Sequence, residues 1–438
     1  MISAAELGIS RPVLPAPQGF YTPRLTAAPV VPRRERVLRG TLFVAVFASS
    51  VAFIEPSPHD ALMGALAFVA LIAGLRFPRL LALPLLLLVL FNASGLIALI
   101  NAYGNDKSVQ YAATSIYLAV ATLIFACLFS EPDTRRLDIM RTAYVLTAVL
   151  AALEGMAGYF HLFHGSDSFL VEARATGMFK DPNVFGPFLI WPALALLERL
   201  LMHRLRLLDI GALGIILIGL MLSFSRGAWF HFAVSGGLLI VLCLLTAPST
   251  TVRFRIVGLS AISLVALAGV AVVLLSIPSV ASMFAERAHL INSYDIGQGG
   301  RFRLQELAVT AVLNNPDGMG PLEFARVNGL QQHNVYLQAF LVYGWIGGAA
   351  YLLLLGATLF VAFRNMFLRT PWQPYLLTAT TALVGEIAEG MIIDTDHWRH
   401  FFLLLGIVWG CAAATVQYRR QMLGCSPVPP RSIPTYPR

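Results

Sequence analysis

Residues 207–247 read LLDIGALGIILIGLMLSFSRGAWFHFAVSGGLLIVLCLLTA. As one helix, about 40 residues would reach about 60 Å at 1.5 Å per residue, twice the roughly 30 Å of hydrocarbon in a bilayer. The stretch must therefore fold back, and the only polar break in it is Ser223-Phe224-Ser225-Arg226-Gly227. Two antiparallel apolar helices joined at Arg226 are the unit from which the rest of the chain is read.

Working outward, apolar runs recur at about 37–54, 61–75, 80–100, 109–129, 142–163, 183–200, 207–224, 227–246, 256–277, 335–362, 375–393 and 399–417. They are continuously apolar rather than alternating, and unpaired backbone groups are costly in lipid, so they predict helices. Of the 438 residues, 57% are hydrophobic and 12% charged, against roughly 25% charged in a soluble globular domain. The expectation is an all-α polytopic membrane protein of about 12 transmembrane helices. Residues 1–36 form a Pro-rich tail without a signal-peptide core, 37–277 hold spans one to nine, 278–334 one long polar loop, 335–417 spans ten to twelve, and 418–438 a second tail.

Charge orients the spans. With the N-terminus in the cytoplasm, 22 of the 31 Lys and Arg fall on inner segments and 9 on outer ones, as the positive-inside rule requires. Both termini are then cytoplasmic, and the 278–334 loop is periplasmic or extracellular. A net charge of +8 thus marks orientation, not nucleic acid. Cys127, Cys243 and Cys411 lie in apolar runs and Cys425 in the tail, so neither a disulfide nor a cysteine metal site is indicated.

The nine outward cations are Lys107, Arg174, Lys180, Arg226, Arg287, Arg301, Arg303, Arg326 and Arg399, and orientation does not account for them. Arg226, in so short a turn, is either a snorkelling anchor or a phosphate ligand, its planar guanidinium able to give two hydrogen bonds to an oxyanion. Arg174 and Lys180 flank Asp181-Pro182-Asn183, which suits a helix start with Asp181 or Asn183 as cap. They either extend an anion site at that helix end or, for Lys180, form a solvated pair with Asp181. In the long loop, short helices are expected from Ser279 to Ile291 and from Arg301 to Leu313. The second has an apolar face of Phe302, Leu304, Leu307, Ala308 and Ala311, and glycines give the loop the hinges of a lid. His333 stands just before a span. It is a structural donor or a general base, since an unperturbed imidazole, pKa about 6.5, accepts a proton at neutral pH. Glu154, Glu386 and Glu389 lie within apolar runs, where acids serve as proton relays or hold outward arginines in place. No HExxH, Walker or DxD pattern is present, which disfavours metal- and nucleotide-dependent chemistry.

Four segments together resemble the O-antigen ligase superfamily, which includes Wzy-type polymerases: Arg174-Ala-Thr-Gly-Met-Phe ending Pro182-Asn183; Ser225-Arg226-Gly227-Ala228-Trp229; Gly300-Arg301 leading to Gly318-Met319-Gly320; and His333-Asn334-Val335-Tyr336-Leu337. The resemblance implies a C-type membrane glycosyltransferase of the bacterial inner membrane. It would move a glycan from undecaprenyl diphosphate to an acceptor hydroxyl at the periplasmic face, the acceptor being lipid A core or another glycan, with no metal or cofactor. It implies that Arg226 and Arg301, or Arg303 in its place, bind the donor diphosphate and that His333 assists the acceptor hydroxyl. Arg174 and Lys180 join the donor site on the bottom-up reading. A Wzy-type polymerase is the alternative within the family, and a polytopic transporter the alternative outside it.

Overall fold

The computed structural model describes residues 32–102, 104, 106–287 and 300–422. The two tails, apart from their inner margins, and residues 288–299 of the long loop, with the end of the helix expected from Ser279 to Ile291, therefore lie outside the described residues. In chain order the helices are α1 Arg33–Phe47, α2 Pro58–Ile72, α3 Ala82–Ala98, α4 Asp106–Leu128, α5 Arg135–Tyr159, α6 Pro182–Phe188, α7 Ile190–Met202, α8 Leu207–Leu222, α9 Arg226–Thr246, α10 Thr250–Leu275, α11 Pro278–Arg287, α12 Arg301–Asn314, α13 Glu323–Asn328, α14 Val335–Met366, α15 Gln373–Glu389 and α16 Arg399–Met422. A single two-stranded hairpin, β1 Leu170–Val171 and β2 Arg174–Ala175, accompanies them among the described residues. This is an all-α polytopic membrane protein.

Each of the twelve apolar runs falls on a helix. Among the described residues, eight segments are long and apolar enough to cross a membrane, among them Asp106–Leu128, Arg226–Thr246, Thr250–Leu275 and Val335–Met366; Pro58–Ile72 and Leu207–Leu222 are shorter apolar helices. The run at 183–200 is broken at Leu189 into α6 and α7. Pro192 has no N–H to give the Phe188 carbonyl one turn earlier, and the Tyr144 hydroxyl of α5 donates to that carbonyl instead, at 3.0 Å. Helices differ in what surrounds them. In the Pro182–Met202 segment 89% of the apolar window is buried by protein, whereas in α10 only 6% is, so α10 presents nearly its whole surface outward, to the lipid.

Successive connections alternate between two ends of the bundle. At one end Arg136 donates to Glu35 at 2.8 and 3.1 Å, and the Tyr375 hydroxyl to Asp138. At the other, Arg399 makes a two-pronged pair with Asp60 at 2.8 Å, Ala52 N–H donates to Met178 O at 3.0 Å and Val335 N–H to Gly390 O at 2.8 Å. The ends read as inner and outer are thus physically separate faces.

Two of the loop glycines, Gly318 and Gly320, are packed and are not hinges. Gly318 and Gly320 take φ of +85° and +90°, and a Cβ there would lie 2.7 Å from Gly344 N and from Ala98 O respectively. α14 opens at Gly344, φ 66°, to receive this segment: Trp345 N–H donates to Pro316 O at 2.8 Å and Met319 N–H to Leu341 O at 2.7 Å. Asn101 fastens Gly318 O from the α3–α4 side at 2.7 Å. These glycines allow backbone to meet backbone, which wedges the loop into the bundle. On α12, Leu304 and Ala308 are buried as expected, but Phe302 is 58% exposed, because the first turn of the helix stands over a cavity.

Candidate active site

The cavity, ≈ 660 Å³, opens at the Asp60–Arg399 end and is lined by residues from seven separate turns and helix ends, including Arg174, Arg226, Arg287, His333, Phe302 and Glu389. The β1–β2 hairpin supplies its first wall. Val171 pairs with Arg174, and the two connecting residues, Glu172 and Ala173, have φ of 51° and 58°. That is the backbone of a two-residue hairpin turn, held here by residues with a Cβ, which makes it a strained one. The turn carries Arg174 into the protein, where it is 5% exposed. Its Nε donates to Ser223 O and an Nη to Asn183 Oδ1, each at 2.9 Å.

Arg174 thereby braces the α8–α9 turn. Within that turn Ser223 Oγ donates to Leu220 O at 2.7 Å, Phe224 is buried with φ 46°, and Ser225 caps α9 by accepting from Ala228 N–H at 3.4 Å. Arg226 is the first residue of α9 and faces the cavity. Trp229, one turn on, stacks on Phe284 of α11 with centroids 5.6 Å apart, which brings Arg287 at the end of α11 over the same space. Glu172 lies 3.8 Å from Arg287.

His333 enters from the opposite side. Its φ is 50°, an uncommon value for a residue with a Cβ, and it precedes Asn334, whose Oδ1 caps α14 by accepting from Tyr336 and Leu337 N–H at 3.0 and 3.1 Å. Nδ1 of His333 lies 3.5 Å from Asp394 Oδ2 in the α15–α16 turn. Burial pushes the Asp394 carboxyl up, and nearby Asp396 adds to that, against the hydrogen bond to His333. His333 lines the cavity, and 45% of its side chain is exposed.

The structure gathers three of the residues singled out from sequence, Arg174, Arg226 and His333, around one space. Lys180 and Arg303 do not line it. Lys180 pairs with Glu55 at 2.7 Å rather than with Asp181, whose carboxylate instead caps α6 by accepting from Asn183 N–H at 2.7 Å. Arg303 pairs with Glu306 at 2.6 Å along α12. Arg301 opens α12, and its side chain lies outside the described residues. Arg287, Glu172, Phe302 and Asp394 were not marked as site residues from sequence; for Arg287 the signal was its place among the nine outward cations. Of the acids in the spans, Glu389 pairs with a histidine, its Oε2 2.8 Å from His231 Nδ1, while Glu386 Oε1 lies 3.5 Å from His400 Nε2; none of Glu154, Glu386 and Glu389 forms an ion pair with an arginine among the described residues.

A polytopic helical membrane protein with an arginine- and histidine-lined cavity at one face is the class defined by this geometry. Residues 211–352 match the family model described as O-antigen ligase, which shows the resemblance to the O-antigen ligase and Wzy-type superfamily over that stretch. The match supports a membrane enzyme of surface polysaccharide assembly. It runs from α8 into α14 and so includes Arg226, Arg287, Arg301, Arg303 and His333, while Arg174 and Lys180 precede it. No curated protein matches the chain.

Proposed function

We propose that the protein transfers a glycan from an undecaprenyl-diphosphate donor to an acceptor hydroxyl at the periplasmic face. The observation that carries this reading is that Arg226, Arg287 and His333, from three distant parts of the chain, line one cavity. Guanidinium groups suit a diphosphate and imidazole suits a hydroxyl. In the step we propose, the acceptor oxygen attacks the anomeric carbon as its proton passes to His333 Nε2. The bond from that carbon to the phosphate oxygen breaks, and undecaprenyl diphosphate leaves with the electron pair, its charge taken up by Arg226 and Arg287. A single displacement inverts the anomeric configuration. Arg301, beside Phe302 on the cavity rim, is assigned to the same diphosphate. Arg174 acts on it by holding the Arg226 turn. Lys180 and Arg303, each paired with an acid, are at most outer contributors to the field.

The test is purified protein in lipid, an undecaprenyl-diphosphate glycan, candidate acceptors, and the mass of the product. Glycan on lipid A core makes the protein a ligase; a lengthened lipid-linked glycan makes it a Wzy-type polymerase. Transport of the intact lipid-linked glycan without any new glycosidic bond would overturn the proposal.

A further inference from the structure

At the end of the bundle opposite His333, a second cavity of ≈ 420 Å³ lies where the starts of α5, α8 and α15 meet the end of α7. Two satisfied pairs close its wall. Arg141 donates to Asp138 at 2.8 Å and stands over the Tyr375 ring, 5.0 Å from its centroid; Arg199 lies 3.2 Å from Asp209. Arg255 caps the end of α7 by donating to Leu200 O and His203 O. The remaining acid of the lining, Glu198, is buried. Arg204 and Arg206 also line the cavity, are exposed, and make no ion pair among the described residues, so the site carries a surplus of positive charge.

The segment that bears them reads Arg204-Leu205-Arg206-Leu207-Leu208. Leu205, Leu207 and Leu208 are 53%, 86% and 87% exposed, large apolar side chains set directly beside the two arginines. Such an alternation fits the boundary of a bilayer, with leucines among acyl chains and guanidinium groups at headgroup level. We infer that this cavity binds the phosphate of an anionic glycerophospholipid headgroup, with Arg204 and Arg206 donating to its oxygens and the three leucines packing on its acyl chains. Free phosphate shares the headgroup chemistry but has no use for the leucines. Membrane orientation alone would explain arginines at this end, but not their convergence on one cavity. The inference does not depend on the glycan-transfer reading.

The experiment is a lipid titration of delipidated protein in detergent, read by native mass spectrometry, with phosphatidylglycerol and phosphatidylcholine of equal chain length. The wild type is expected to bind phosphatidylglycerol at least about 30-fold more tightly. Arg204→Gln/Arg206→Gln should weaken that binding by about 30-fold and leave phosphatidylcholine unchanged, with each single variant intermediate. Arg76→Gln/Arg79→Gln removes the same charge from exposed arginines outside the cavity and should keep the wild-type preference. Equal affinity for the two lipids, or an equal loss in the Arg76/Arg79 variant, overturns the inference. Displacement of phosphatidylglycerol by millimolar inorganic phosphate would overturn the lipid assignment and make the site one for free phosphate.

Discussion

His333 presents Nδ1 to Asp394 Oδ2 at 3.5 Å, across the gap between the turn that enters α14 and the turn that leaves α15. A carboxylate in that place favours the Nδ1–H tautomer and leaves Nε2 as acceptor. His333→Ala is therefore expected to lose about 100- to 10,000-fold in transfer rate. Asp394→Ala should lose less, about 10- to 100-fold, by analogy with other carboxylates that orient a working histidine. Near-wild-type transfer by His333→Gln would remove the base from the mechanism.

Arg226 and Arg174 are tested by substitution. Arg226→Ala is expected to slow transfer by roughly 10- to 150-fold, because a charge-assisted contact to phosphate is worth about 1.5–3 kcal/mol. Arg226→Lys should recover only part of it, since the fork geometry is lost. Arg174 is buried and spends two of its donors on Ser223 O and Asn183. Arg174→Ala should lower both the melting temperature and the rate. A melting temperature of Arg174→Ala equal to that of the wild type would contradict the bracing role.

Much of this architecture was legible because bilayer thickness sets a length that apolar runs either meet or miss. The outward arginines were legible for a related reason, since the orientation rule leaves them unexplained. What could not be read was which turns touch. Lys180 looked paired with its neighbour Asp181, but a side chain three-dimensionally close, Glu55, takes it, and Asp181 is spent on a cap. Gly344 sits inside a continuous apolar run, and nothing local tells that the loop backbone enters there. The break at Leu189 was within reach, because Pro187 and Pro192 bracket it.

The two faces give a topology test. In a variant lacking the native cysteines, Lys107→Cys and His333→Cys should react with an impermeant reagent on intact cells, and Arg135→Cys and Arg364→Cys only after permeabilisation. Reaction of Lys107→Cys and Arg364→Cys from the same side would reject the alternation of connections.

Asp396 supplies a pH dependence of stability. Burial alone would raise its carboxyl, but the charge and hydrogen bond of His397, with the Tyr111 hydroxyl, outweigh that and hold it below the usual value of 3.8. A lowered carboxylate binds its proton more weakly in the fold than in the unfolded chain. Its contribution is then fully present above pH 3.8 and is lost as pH falls through the lower folded value. Thermal unfolding in detergent should show stability falling in that acid range, and Asp396→Asn should flatten the fall. An unchanged slope would mean that other carboxylates govern it.

The last prediction concerns Glu389, which is buried, lines the cavity and lies against Gly227. His231 Nε2 is 2.9 Å from Ala382 O, and a carbonyl only accepts, so Nε2 carries a proton. The contact of 2.8 Å between His231 Nδ1 and Glu389 Oε2 then needs one more, held by either partner. A glutamine reproduces the form in which the carboxyl holds it, its amide N–H donating to Nδ1 while its oxygen takes the place of Oε1. If that form is the working one, Glu389→Gln keeps its stability, and Glu389→Ala, which strands Nδ1 in the interior, loses about 1–3 kcal/mol. If the pair is an imidazolium and a carboxylate, Glu389→Gln should be destabilised as much as the alanine variant. Gly227→Ala reports on the same contact from the other side. A Cβ there would stand 2.6 Å from Glu389 Oε1, so either the carboxyl or the start of α9 must move, and Arg226 moves with the latter. Transfer by Gly227→Ala is therefore expected to fall even though no charged group has been removed. Recovery of the rate in Gly227→Ala/Glu389→Ala, where the clash is gone, would trace the loss to that contact, and no recovery would place it elsewhere in the turn.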